Sequence, residues 1–299
     1  MTKKGLIILI SFLSVVCLLM TGGFIYLLVN NFEWGSIELG LDFSKPKLLD
    51  SITYENVDVE EINIDSKALD VYIEESSDDK YSLEIYVNNK NIDYSFDNID
   101  KKVTFKAHNN KGASIILGYN THGKIVVKIP KENNLYTFNV DAKVGDIKVG
   151  NFEGLNGSIK NTTGDLEVNK FNDLSIDLGT GDIKLKDVSS VDIKHNTGDI
   201  DIGTIGDLTI QSKTGDINID EVNLKMDITS KTGDIKINKV LVTSNSKIDN
   251  TTGDITIKEV SGSYVDATSK IGDVKVNNND RYAEYTLKIQ NKTGDIKIN

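Results

Sequence analysis

Beyond Gly145, apolar and polar positions alternate in short bursts that recur to the end of the chain. They are Ile147/Val149, Leu166/Val168, Ile183/Leu185, Ile200/Ile202, Ile217/Ile219, Ile235/Ile237, Ile255/Ile257, Val274/Val276 and Ile296/Ile298. A period of two with mostly β-branched apolar residues predicts a strand with one buried face. Three residues past the second apolar position most units carry another: Phe152, Phe171, Val188, Ile205, Val222, Val240 and Val260. That position reads as an inward anchor at a corner. A second alternating pair follows, for example Leu174/Ile176, Val191/Ile193, Leu208/Ile210, Met226/Ile228 and Leu287/Ile289. Each unit is strand, corner, strand, and then a turn.

The turn carries the signature. Thr-Gly-Asp begins at Thr163, Thr180, Thr197, Thr214, Thr232, Thr252 and Thr293, and Val144 and Ile271 replace the Thr in two further copies. Successive glycines, from Gly145 to Gly294, are 17 to 22 residues apart. Gly supplies the positive φ of a tight turn, and the Asp after it can accept hydrogen bonds from amides at the turn. The Thr position is expected to be a half-buried column of β-branched side chains. A unit with one apolar face cannot bury it alone, but parallel stacking of successive units makes a continuous core. The fold class predicted is all-β: a parallel β-solenoid of about nine coils over residues 141–299, roughly 40 Å long at about 4.8 Å per coil. Residues 51–140 also alternate, at Ile62/Ile64, Val71/Ile73, Leu83/Ile85/Val87, Val103/Phe105 and Ile125/Val127/Ile129, with polar turn clusters between them. They predict an irregular β-rich cap that shields a sheet edge at the membrane-proximal end.

That end is set by the first thirty residues. Residues 5–29 carry no charge and are dense in Leu, Ile, Val and Phe, long enough at about 1.5 Å per residue to cross a hydrocarbon core of about 30 Å. Lys3 and Lys4 precede the run, and Phe32 and Trp34 follow it. The reading is a cytoplasmic tip (1–4), a transmembrane helix (5–29) and a juxtamembrane linker (30–50), with the remaining residues extracytoplasmic. A cleaved signal peptide would have a shorter apolar core and a small-x-small site after it. Here Thr21, Gly22 and Gly23 lie inside the run, which favours a retained single-pass anchor. Cys17 follows Ser14-Val15-Val16, a poor lipoprotein acceptor motif, and reads as a buried membrane cysteine. No cysteine follows it, so packing rather than disulfides must hold the solenoid.

Charge removes other classes. With Lys3 and Lys4 set aside, 32 basic residues face 45 acidic ones, a net of about −13. That excludes the basic footprint nucleic acid needs. Arg281 is the only arginine, which removes most bidentate phosphate recognition. The lysines of the Asp-apolar-Lys stretches (Lys148, Lys184, Lys236, Lys275, Lys297) share a strand face with the aspartates and predict a solvated mixed-charge lattice. Calcium is the competing reading of the Asp column, but one carboxylate per turn falls short of the six to eight oxygens calcium takes. His108, His122 and His195 lie in separate segments, with His195 expected to face solvent. No nucleophile elbow or phosphate loop occurs. No catalytic, cofactor-binding or metal residue is predicted, and the chain does not read as an enzyme.

Val71-Tyr-Ile-Glu-Glu75, then Lys124-Ile-Val-Val-Lys-Ile-Pro130 ahead of Asn139-Val-Asp-Ala-Lys-Val-Gly-Asp-Ile147, then the Thr-Gly-Asp-Ile repeats, together resemble the bacterial "putative adhesin" domain family over roughly residues 55–299. The resemblance implies a β-solenoid that binds at the cell surface, and it supplies no catalytic residues. Similar domains are associated with cell-envelope stress responses. Two function classes follow: a membrane-anchored surface binding or scaffold module with a protein or glycan partner, and an envelope-stress regulator acting through a membrane protein. The end of the stack adds one expectation. Ile296–Ile298 reads as the first strand of a new coil with a bare edge, either a quiet end blunted by Lys297 or a contact site for a second copy or a partner.

Overall fold

A computed structural model of the chain describes residues 39–40, 46–54, 58–78, 80–87, 92–109, 115–116, 123–131, 135–277 and 279–299. Every regular element among them is a β-strand. The apolar run 5–29, the tip 1–4 and most of the linker 30–50 lie outside the described residues. Among the described residues no helix is long and apolar enough to cross a membrane. The chain divides into two units. In the smaller one, Met1–Phe43 with Lys111–Tyr119, the described feature is a parallel pairing of Leu39–Gly40 with Ile115–Ile116. The solenoid occupies the other, Ser44–Asn110 with Asn120–Asn299.

The alternating bursts become parallel strands in register. Leu166, Ile183, Ile200, Ile217, Ile235 and Ile255 stand one above the next, and none is more than 1% exposed. The corner anchors Phe171, Val188, Ile205, Val222 and Val240 stack in the same way, as do Ile176, Ile193, Ile210, Ile228, Ile248 and Ile289 on the second strand. These columns form one continuous core. At the nine Gly-Asp corners the glycines hold φ between 127° and 141°, and they delimit about eight full turns. A β-carbon at any of these conformations would be strained. On Gly215 it would also overlap the carbonyl oxygen of Gly198 in the coil before. The Thr column differs from expectation: Thr163, Thr180, Thr197, Thr214, Thr232, Thr252 and Thr293 are exposed. Alternation stops at the corner, where the chain rotates onto the next face, so the residue before Gly faces out.

The final coil is not the end of the stack. Ile296–Ile298 lies between Ile255–Ser261 and Val274–Val276. Tyr285–Thr293 likewise lies between Ser246–Thr252 and Ser263–Ile271. The expected bare edge at Ile296–Ile298 is therefore wrong. The chain skips one position, lays down residues 263–276 as the outermost layer, and returns to fill the gap. The inward residues supply the reason. Leu287, Ile289, Ile296 and Ile298 are buried to within 1%, whereas the outer layer presents the smaller Val265, Ala267, Ser269 and Val274, the last 42% exposed. Enclosing the more apolar coil on both sides removes more area from water, at about 25 cal/mol per Å².

The other end shows the same device. Glu61–Ser66 and Leu69–Glu75 extend the stack beyond Thr137–Val144 and Ile147–Asn151. Outside them lie Lys102–Asn109 and Gly123–Ile129, which come later in the chain. Antiparallel strands then close this end, Ile92–Ile99 against Lys102–Asn109, and Tyr81–Val87 against Gly123–Ile129 with Lys47–Tyr54 outermost. Residues 51–140 thus contain two regular layers as well as a closure.

Two outcomes test this packing. Removing residues 285–299 takes away the sheet neighbours of Ser263–Val276, so amide exchange there should speed up by at least tenfold while Ile200–Thr214 stays protected. Retained protection in 263–276 would mean that the layers stack in chain order. Ile217→Asp puts an unpaired charge into the core column and should cost about 3–5 kcal/mol, read as a large drop in denaturation midpoint. A parent-like midpoint would remove Ile217 from the core.

Candidate binding surface

Each Gly-Asp corner leaves an amide N–H and a carboxylate in stacking distance of the next corner, and the carboxylates use it. Asp70 Oδ1 accepts from the N–H of Asp146, and Asp146 Oδ1 from that of Asp165. The ladder continues through Asp182, Asp199, Asp216, Asp234, Asp254 and Asp295 to Asp273, all at 2.8–2.9 Å. Unit charges about 4.8 Å apart repel by about 1 kcal/mol in water, a cost of the same order as one hydrogen bond to a charged acceptor. Lys236 adds ion pairs to Asp234 at 3.3 Å and Asp216 at 3.9 Å. Among the described residues no group of three His, Cys, Asp or Glu side chains is placed to hold a metal.

Inside the corner runs a second, polar column that the apolar pattern did not predict. Asn161, His195, Ser212, Ser230, Asn250 and Asn291 stand at one inward position, with Leu178 between the first two, and are buried, each two residues before the Thr. Asn161 Nδ2 donates to the Gly145 carbonyl and Asn291 Nδ2 to that of Gly253, both at 2.8 Å, and the part-buried Ser269, paired with Asn291, donates its Oγ to that of Gly294 at 2.9 Å. His195 was expected in solvent and is 2% exposed, with Nε2 at 2.8 Å from the Gly181 oxygen. A carbonyl can only accept, so Nε2 carries the proton. The signal was legible as Asn/Ser/His-x-Thr-Gly-Asp. It answers a local need, since a buried glycine carbonyl without a partner is costly. The side chain of His108 and all of His122 lie outside the described residues.

The outward positions form columns of mixed sign. One runs Lys148, Glu167, Lys184, Asp201, Asn218, Lys236, Thr256, Lys297 and Lys275 in register across the sheet. Another, at the corner, runs Lys170, Asp187, Thr204, Glu221, Lys239 and Glu259, with Lys239 bonded to Glu221 at 2.7 Å. The expected mixed-charge lattice is present. Nearer the N-terminal end, Lys124 Nζ sits 5.2 Å from the Tyr72 ring centre and 4.9 Å from that of Tyr86. Both distances are in cation–π range. Tyr86 and Lys128 both donate to Glu84, at 2.7 and 2.6 Å. Burial pushes the Glu84 carboxyl up, but these two hydrogen bonds and the lysine charges outweigh it and hold the group below its ordinary value. The cluster clamps Tyr81–Val87 to the strands of the stack. A cleft of about 360 Å³ lies at the corner of the early coils, lined by Glu75, Lys131, Phe152, Leu155 and the Glu153–Lys170 ion pair.

The fold is that of an all-β parallel β-solenoid protein. The chain matches Toastrack DUF4097 over residues 59–238 and 186–299, and it belongs to that family. Among solved structures it is similar to a "putative lipid binding protein" from Parabacteroides distasonis ATCC 8503, at 13% identity over 88% of this chain and 100% of that one, with a TM-score of 0.46. A "putative adhesin" from Parabacteroides merdae ATCC 43184 shares 13% identity over 88% and 99% of the two chains, with a TM-score of 0.43. One from Bacteroides fragilis NCTC 9343 shares 15% over 85% and 97%, with a TM-score of 0.35. No curated protein matches the chain.

The ladder can be tested at its middle. Asp199→Ala removes the acceptor for the Asp216 amide and should cost about 1–3 kcal/mol, whereas Asp199→Asn keeps an oxygen there and should lose little. Melting temperatures of both variants and the parent should be the same with chelator and with excess calcium. A chelator-induced fall would make the column a calcium site.

Proposed function

We propose that the protein is a membrane-anchored, extracytoplasmic binding and scaffold module, adhesin-like and non-catalytic, which presents the faces of its solenoid to a protein or glycan. The observation that supports this best is the in-register outer column from Lys148 to Lys275. It repeats charged and polar side chains at the spacing of stacked strands, about 4.8 Å, so a long partner meets many equivalent weak contacts rather than one pocket. The sheet behind it is rigid, because each outward side chain alternates with a core residue. A bulky partner on such a face gains affinity through multivalency.

The uncharged run at residues 5–29 supports the anchor, with the solenoid outside the membrane. It also favours a second reading, regulation of an envelope-stress response through a membrane protein. Protease added to intact spheroplasts should digest the solenoid and leave a short N-terminal fragment, while full protection would place it in the cytoplasm. Binding of residues 51–299, added as a soluble fragment, to cells or isolated envelope should persist for a surface module. Loss of all activity without residues 5–29 would favour the regulator.

A further inference from the structure

Among the described residues, Ser263–Ile271 has a sheet neighbour on one side only, Tyr285–Thr293. Its other edge carries backbone groups that a following coil would take elsewhere in the stack, and such an edge is a template for pairing. One position is already covered. Asn279 Oδ1 accepts from the Val265 N–H and its Nδ2 donates to the Val265 carbonyl, both at 2.8 Å. Edge-pointing groups alternate along a strand, so those of Ala267 and Ser269 point outward with Val265, and those of Asp266, Thr268 and Lys270 point back into the stack. The side chains of Asp266, Thr268 and Lys270 are exposed on the outer face, while Ala267 and Val276 are only part-buried.

We propose that this edge is a self-association site, pairing antiparallel with the same edge of a second copy about a two-fold axis through Thr268. That register sets Asp266 opposite Lys270 of the second copy, and by symmetry Lys270 opposite its Asp266. Opposite charges directly across an antiparallel pair are favourable. Ala267 and Ser269 exchange their outward hydrogen bonds, and Asn279 confines the new pairing to residues 266–270. Moving the axis one residue to either side loses both charge pairs, leaving Asp266 across from Thr268 or from Gly272. A second copy is the fitting occupant because the uncovered surface is the cross-section of a coil. The far end of the solenoid, closed by antiparallel strands, does not present that cross-section. A two-fold contact also closes on itself and makes a dimer, not a fibre.

The axis sends the N-terminal ends of the two solenoids in opposite directions. On the anchored reading proposed above, the contact therefore joins facing membranes. The dimer itself does not depend on that reading, and the detergent-solubilised full-length chain tests it alone. Facing residues of a non-hydrogen-bonded antiparallel pair have α-carbons about 4.5 Å apart, within reach of a disulfide. In a Cys17→Ser background, Thr268→Cys should form a covalent dimer under mild oxidation, at least tenfold faster than Asp192→Cys on the outer face of an inner coil. Sedimentation should show concentration-dependent dimers that Asp266→Lys weakens at least tenfold and Asp266→Lys with Lys270→Asp restores. A monomer at all concentrations, equal rates for the two cysteines, or no recovery in the double variant would overturn the proposal.

Discussion

The carbonyl oxygen of each corner glycine occupies the space where a β-carbon would stand on the glycine of the next coil. That close approach, at a backbone angle L side chains rarely adopt, fixes the register of the layers that carry a corner glycine. Once glycine lies on glycine, isoleucine lies on isoleucine and the Asp amide meets the Asp carboxylate. The two polar ladders flank this line of contact on opposite sides. The outer one ties the amide after the glycine to a carboxylate, and the inner one ties glycine carbonyls to Asn, His and Ser side chains. The corner is thus a polar seam beside an apolar core; the Asn and His side chains find glycine carbonyls there, while the buried hydroxyls of Ser212 and Ser230 have no hydrogen-bond partner among the described residues.

A stack of open coils has ends, and both ends of this one are managed by the same topological move. At each end the two outermost parallel layers are exchanged relative to chain order, with Lys102–Asn109 and Gly123–Ile129 outermost at one end and Ser263–Ile271 and Val274–Val276 at the other. Each end layer is therefore held by a chain reversal as well as by its hydrogen bonds. The ends then diverge. Antiparallel strands and the Tyr72–Lys124–Tyr86 cluster close the first. The second keeps an edge covered by the Asn279 side chain at Val265. A long, regular, charged side and one open end are separate surfaces, and they suit different partners.

The sequence by itself determined the strands, the corners, the inward positions and the solenoid, because each is set by local chemistry repeated many times. Period-two alternation gives a strand face, and a glycine followed by an aspartate gives a turn with a carboxylate beside an amide. The mixed-charge outer face followed from the same count of positions. What only the tertiary structure decided is the order of the layers. Coils with equivalent inward faces accept one another as neighbours in any order. The choice fell to comparative burial, with Leu287, Ile289, Ile296 and Ile298 enclosed and Ala267, Ser269 and Val274 left at the edge. His195 and the Thr column went astray for a related reason. Whether a polar residue beside a corner faces in or out depends on where the chain rotates and on which carbonyl needs a donor. Those needs arise only when one coil lies on another.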